Sequence, residues 1–478
     1  MNTSEKHSSA LLKVILLFFI SAGLIWGCEK PEPEPEPEDN TTLKVNQFIK
    51  EVMEDVYLWY KEIPTIDIKK ETDPMAYFEK LLFSEDKWSF ITDDVEALEG
   101  SFEGKETSYG WSLTFSYADQ QKVKIVALVE YVYPKTPAAL AGFKRGDIIH
   151  KLNGADIVLA NYMQLLTSSS LSCEFGQYSE NGIVNSKTAA MTALELNLNP
   201  VQFTKIIEHG GKKIGYLFYA QYIGNYNSSL DTVFQNFIAN NVTDVVLDLR
   251  YNPGGITSAA QHLCSSLAPL EAVNGQKNLV KFQWNDKYQA YWESIDATGQ
   301  LGISFLSSVP QKMGLNKLWI LTGEGTASAS ELTITGLKPY MTVKTIGAKT
   351  YGKYTASITF KPEEWYESPS EYSGIKNWGI QPIILKYANS QGVTDFKNGF
   401  APDIAVEDDL LSTYQLGDKH EALLKKAIED ITGVEIQAIK SASKPADFTF
   451  IDRGFSKFDK NKRELLWDDF DKTSLKMQ

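Results

Sequence analysis

The chain has 478 residues, 43% of them hydrophobic and 12% aromatic, and a formal net charge of −14 at pH 7. That is enough length and apolar content for about two to four packed domains, and the negative balance excludes a nucleic-acid binder, which needs a basic footprint. Its three cysteines, Cys28, Cys173 and Cys264, exclude a disulfide framework. Cys173 and Cys264 read as unpaired packing residues, with a single bond between them as the alternative.

Residues 1–28 read as an export signal. Lys6 and Lys13 precede an apolar run, Val14 to Trp26, which is too short to span a bilayer and suits a signal-peptide core. It ends Leu24-Ile-Trp-Gly-Cys28, which resembles a bacterial lipobox and implies that Cys28 is lipidated. The expected location is therefore the bacterial cell envelope, with a lipid anchor in a membrane. Residues 29–42 carry a Pro-Glu repeat, extended and self-repelling, which suits a spacer.

Residues 43–102 are expected to be helical. Val45, Phe48, Ile49, Val52, Val56 and Trp59 recur at helical spacing, and Asp73-Pro74 opens a second helix. Residues 103–198 form a second unit. Pro137 starts a short helix, Gly142 ends it, and Gly146-Asp147 turns into a strand at Ile148-Ile149. The stretch Tyr133 to Ile149 resembles a PDZ domain, a β-rich fold that binds a chain end by adding it as a strand to a sheet edge. The resemblance puts the carboxylate-binding loop at Gly110, Trp111, Ser112 and Leu113. Ser168 to Ser186, rich in serine, reads as a loop of this unit.

From 199 to 410 strands alternate with helices, which predicts an α/β layer with its site at strand ends. Strands are expected at Lys213–Phe218, Asp244–Leu249 and Leu318–Leu321. Helices are expected at Ser229–Asn240 and Ile256–Leu267. Residues 411–478 contribute an amphipathic helix, Gly417–Ile431, and a charged tail.

The chemistry is expected at Thr322-Gly-Glu-Gly-Thr-Ala-Ser-Ala-Ser-Glu331, a tight turn between the strand Leu318–Leu321 and a helix through Leu332–Leu337. A serine there stands clear of bulky neighbours and beside free helix N–H groups, which favour developing negative charge. It needs a base. The five histidines, His7, His150, His209, His262 and His420, have no spacing or surroundings that suggest one. A buried lysine can serve, because desolvation disfavours the ammonium form. Lys353 follows the strand-like run Thr342–Ile346, so two successive strand ends could bring it to Ser328.

Ser328-Ala-Ser-Glu331 followed by Gly352-Lys353, together with Asp248-Leu-Arg-Tyr-Asn-Pro-Gly-Gly255, resembles the C-terminal processing peptidases. The resemblance covers roughly residues 86–433. It implies a serine endopeptidase with Ser328 as nucleophile and Lys353 as general base. The oxyanion hole would come from Gly254 or Gly255 and the Ala329 amide. Ser357 stands where the family commonly has a glutamine that holds the lysine. No metal or cofactor is implied. The expected partners are protein or peptide substrates, taken near their free C-termini. The rival reading is an inactive PDZ-containing binding lipoprotein on a degenerate protease core.

Overall fold

The computed structural model describes residues 40–179, 182–412, 414–437 and 449–450. Cys28, the signal segment, nearly all of the Pro-Glu spacer and most of the charged tail lie outside the described residues. The first helix of the described residues, Thr41–Val56 (α1), buries Val45, Phe48, Ile49, Val52, Met53 and Val56 along one stripe. Asp73 caps Pro74–Leu81 (α2), its carboxylate accepting the amides of Met75 and Ala76. The region is less helical than its periodicity predicts. Phe90–Thr92 (β1) is a strand paired antiparallel with Gly379–Gln381. Three residues give no period to read, and the partner lies far along the chain.

Next comes a β-rich unit. Its main strands are Trp111–Tyr117 (β2), Ile125–Val132 (β3), Ile148–Leu152 (β4), Ser170–Ser179 (β5) and Gly182–Thr192 (β6), in the sheet order β2-β3-β4-β5-β6. The short helix Pro137–Leu140 (α3) follows its Thr136 cap, and Gly142 has φ +83°. The Ser-rich stretch is a long hairpin, β5 on β6, and not a loop. Leu171, Cys173 and Phe175 are buried on alternate positions. That is a period of two, which the intervening polar residues disguise. Thr449–Phe450 pairs with the Ser116–Tyr117 end of β2.

The core strands are Val201–His209 (β7), Lys212–Tyr219 (β8), Asp244–Asp248 (β9), Asn278–Trp284 (β10), Lys317–Thr322 (β11), Thr342–Gly347 (β12), Thr355–Ser357 (β13), Ile383–Asn389 (β14) and Ile404–Ala405 (β15). They form two sheets. A six-stranded sheet runs β7-β8-β9-β11-β12-β15, parallel from β8 onward. A four-stranded antiparallel sheet sets β14 between β10 and β13. In the parallel sheet alternate residues serve opposite faces. Leu217, Leu247 and Ile320 face a core with the helices Asn227–Ala239 (α4), Thr257–Leu267 (α5) and Ala329–Leu337 (α6). Phe218, Val246 and Leu321 face a second core, with the helix Ala422–Thr432 (α7) and with Leu128, Tyr131 and Ile148 of the β-rich unit. Burial on both faces is why these strands read as continuous apolar runs. α7 starts later than its pattern suggests, because Glu421 caps it. Cys173 and Cys264 are buried free thiols, in different cores.

Candidate active site

Strands β9, β11 and β12 are neighbours in the parallel sheet, and the candidate residues sit just beyond their ends. After β11 the chain turns at Gly323 and enters α6 through Ser328. Ser328 has φ 61° and ψ −115°, a conformation costly for a residue with a Cβ. It is fully buried, and its Oγ makes no hydrogen bond among the described residues. A serine on a strained turn between a strand and a helix is how hydrolases present a nucleophile.

The Asp248–Gly255 turn forms the wall opposite. Gly254 has φ +112°, and a Cβ there would lie 2.7 Å from the Ser328 Cβ and 3.0 Å from the Ala329 nitrogen. Only glycine permits that approach. The Gly254 N–H donates to Asn252 Oδ1 at 2.8 Å. Its amide is therefore committed, which leaves Gly255 and Ala329 as the candidate oxyanion donors of the original three. Asn252 also knits the turn to its neighbours. Its side chain donates to the Tyr219 carbonyl, and its own carbonyl accepts the Ala327 N–H and the Ser330 hydroxyl.

Lys353 lies in the loop after β12 and is 1% exposed. Two groups tie it to Ser328. Glu331 Oε2 accepts both the Ser328 N–H at 3.0 Å and the Lys353 N–H at 2.7 Å. One shared oxygen at these lengths keeps the two nitrogens within about 6 Å. The other oxygen, Oε1, accepts the Thr350 hydroxyl and the Gly352 N–H. Burial raises the Glu331 carboxyl to about 7, against the pull of these four donors. On the carbonyl side, the Tyr387 hydroxyl reaches the Lys353 oxygen at 2.9 Å and the Ser328 oxygen at 3.1 Å. Ser357 is buried in β13, which pairs with the strand that carries Tyr387.

Glu331 was recoverable from the sequence, since Ser-x-x-Glu ahead of a helix is a capping pattern. Tyr387 was not, because it arrives from the other sheet. Nor did the sequence assign a role to Arg250. Its guanidinium is buried and pairs with Asp248 at 2.8 Å, Glu421 at 2.6 Å and Asp408 at 3.0 Å. Burial alone would push the Glu421 carboxyl up, but Arg250 beside it holds it below its ordinary range. The four described histidines are engaged elsewhere, with Ser186, the Val434 carbonyl, Asp231 and Asp418.

The predicted peptide loop opens β2 of the β-rich unit. Gly110 has φ +77°, and Trp111, Ser112 and Leu113 begin β2 with a bulge after Ser112. The Ser112 hydroxyl donates to Glu130 Oε2 at 2.7 Å.

A parallel α/β sheet with a strained serine at a strand-to-helix turn, a buried lysine braced to it and a glycine turn against it defines a serine-hydrolase type of site. Sequence comparison agrees with this class. The model of peptidase family S41 matches residues 213–406, and that of the S41 N-terminal domain matches 44–90. The chain belongs to peptidase family S41. A carboxyl-terminal-processing protease of Synechocystis is 25% identical over 256 residues, covering 54% of this chain and 52% of that protein. A chloroplastic C-terminal processing peptidase of Tetradesmus obliquus is 24% identical over 334 residues, covering 67% of this chain and 64% of that protein. The chain thus spans about half to two thirds of the length of these relatives. A crystal structure of an S41 protease from Bacteroides fragilis superposes with a TM-score of 0.66 at 27% identity, covering 84% of this chain and 99% of that one.

Proposed function

We propose that this chain is a serine endopeptidase in which Ser328 attacks a peptide carbonyl and Lys353 is the general base. The observation that carries the reading is the backbone of Ser328, held at φ 61° and ψ −115° at the start of α6, with a hydroxyl that makes no hydrogen bond among the described residues. Strain of this kind persists only where surrounding structure enforces it. Burial of Lys353 favours the neutral amine that a base must be. In the first step the Ser328 proton passes to Lys353 Nζ as the Oγ–carbon bond forms. The Gly255 and Ala329 amides are the candidate donors to the oxyanion, where losing one such donor typically costs about 10²–10³ in rate. The ammonium then protonates the leaving amine as the carbon–nitrogen bond breaks. Water releases the acyl group by the reverse proton path. Both side chains are sealed from solvent, so a polypeptide reaches them only when neighbouring elements part.

The test is labelling with a serine-directed phosphonate, together with peptide hydrolysis. Wild type is expected to label and to cleave. Ser328→Ala is expected to do neither. Lys353→Ala, folded by circular dichroism, should lose most turnover, and Lys353→Arg should not restore it, since a guanidinium stays charged. Full activity in folded Lys353→Ala would end the dyad reading.

We also propose that the β-rich unit is a PDZ-like module that takes substrate chain ends along β2. In support, β2 has a strand partner on one side, while on the other only Thr449–Phe450 pairs with it among the described residues, at its far end. Peptides ending in a free carboxylate should bind more tightly than their C-terminal amides. Equal affinities would remove chain-end recognition.

A further inference from the structure

We infer that Tyr387 is a positioning residue for the Ser328–Lys353 pair, setting their spacing through its hydroxyl. The inference rests on the peptidase reading above. Ser328 and Lys353 lie on different loops, each following a different strand of the parallel sheet. Two such loops need a common reference if a proton is to pass between their side chains. Glu331 supplies one on the amide side, where Oε2 accepts both N–H groups. Tyr387 supplies the other on the carbonyl side, where a single hydroxyl spans the Lys353 and Ser328 oxygens at 2.9 and 3.1 Å. Each dyad residue is therefore held at both of its own backbone polar groups, and by the same two side chains. That fixes the peptide planes on both sides of the strained Ser328 Cα.

The position of Tyr387 suits this task. It is the middle of a paired strand, opposite Phe282 of β10, and its own N–H donates to the Tyr354 carbonyl next to Lys353. Its carbonyl accepts the Thr394 hydroxyl at 2.7 Å, and its ring packs on Phe396 with centroids 5.8 Å apart. It is fully buried. Burial first, and the Glu331 carboxyl nearby second, push the phenol well above its ordinary range. It therefore stays a hydrogen donor across the working pH. The Ser328 carbonyl also accepts the Leu332 N–H at 2.8 Å inside α6. Loss of the hydroxyl thus leaves the helix start bonded and removes only the bridge to the lysine loop.

The experiment compares wild type, Tyr387→Phe and Phe396→Leu, with active sites titrated by the phosphonate so that turnover is expressed per competent site. Tyr387→Phe is expected to lower kcat per titrated site by roughly 10- to 100-fold, since small misplacement of reacting groups costs up to about 10². KM should stay within about twofold, and the pH at which the kcat limb falls should move, because the lysine no longer meets the serine at the same distance. Phe396→Leu disturbs the packing of the ring and keeps the hydroxyl, so its kcat per site and its limb should match wild type. A merely structural role predicts fewer titratable sites with unchanged turnover at each, and that result for Tyr387→Phe overturns the inference. An equal loss in Phe396→Leu overturns it too, by assigning the effect to packing. If wild type itself neither labels nor cleaves, both the peptidase reading and this inference fall. If wild type works and Tyr387→Phe equals it, this inference alone falls.

Discussion

Glu331 concentrates more of the site in one residue than any other side chain. Its two oxygens accept four donors from two loops, and two of those donors are the amides of the proposed nucleophile and base. Glu331→Gln replaces one acceptor oxygen by an NH₂ group facing N–H or O–H donors. Turnover is expected to fall by roughly 10- to 100-fold, on the same misplacement argument. Stability carries an independent signature. The folded carboxyl is raised to about 7 by burial, while in the unfolded chain it titrates near ~4.3. The folded state therefore holds a proton that the unfolded state releases between those values. The resulting stabilisation is present in full below the lower value and is lost as pH rises through the upper one, on the order of 3 kcal/mol in total. Wild type should thus lose stability relative to Glu331→Gln as pH rises from about 4 to about 8. Urea unfolding across that range measures it, and parallel curves for the two proteins would contradict the buried-acid account. The carboxylate form, the better acceptor, gains population over the same interval, so activity and stability are expected to respond to pH in opposite directions.

At the scale of elements, what was legible follows from where each signal is local. The parallel strands β8, β9, β11 and β12 each carry an apolar run that announces itself, because both of their faces are buried. The turn after β11 was readable from its small residues, and Lys353 from its place after the next strand. The hairpin β5–β6 was not, since polar residues stand between the three buried anchors that set its period. β1 depends on a partner distant in sequence, and which residues of β14 face the site depends on its pairing with β10, also distant. For the same reason Tyr387, carried by β14, could not be assigned. The Arg250 network shows a further limit. An arginine next to the Gly-Gly turn reads as an ordinary charged residue, whereas in the fold it joins β9 to the cap of α7 through Glu421. Glu421 serves two purposes at once, accepting the Leu423 and Leu424 amides and pairing with Arg250. That couples the start of α7 to the strand whose end carries Gly254 and Gly255.

Across the whole molecule, the β-rich unit meets the peptidase core at a seam that reaches the same turn. Tyr131 packs on Phe218 with ring centroids 5.0 Å apart and lies beside Tyr251, 5.9 Å away. Tyr251 is within the Asp248–Gly255 segment. Arg145 of the β-rich unit donates to the Tyr251 hydroxyl and to the Glu130 carbonyl, and pairs with Asp408 of the core at 2.6 Å. Its guanidinium also lies over the Tyr251 ring. Removing one partner of a fully buried pair typically costs about 3–5 kcal/mol. Here the cost should be smaller, roughly 1–3 kcal/mol, because Asp408 is partly exposed and keeps Arg250. The loss should be local to the seam. Arg145→Met keeps much of the apolar stem and removes the charge. Hydrogen exchange of β3 and of the Asp248–Gly255 turn is expected to speed up, while β11 and β12 in the sheet interior keep wild-type protection. Turnover should change less than in Tyr387→Phe, since no contact of Ser328 or Lys353 is altered. Uniformly faster exchange across the core would mean that Arg145 supports the fold as a whole. Unchanged exchange at β3 would mean that the aromatic contacts alone hold the two units together.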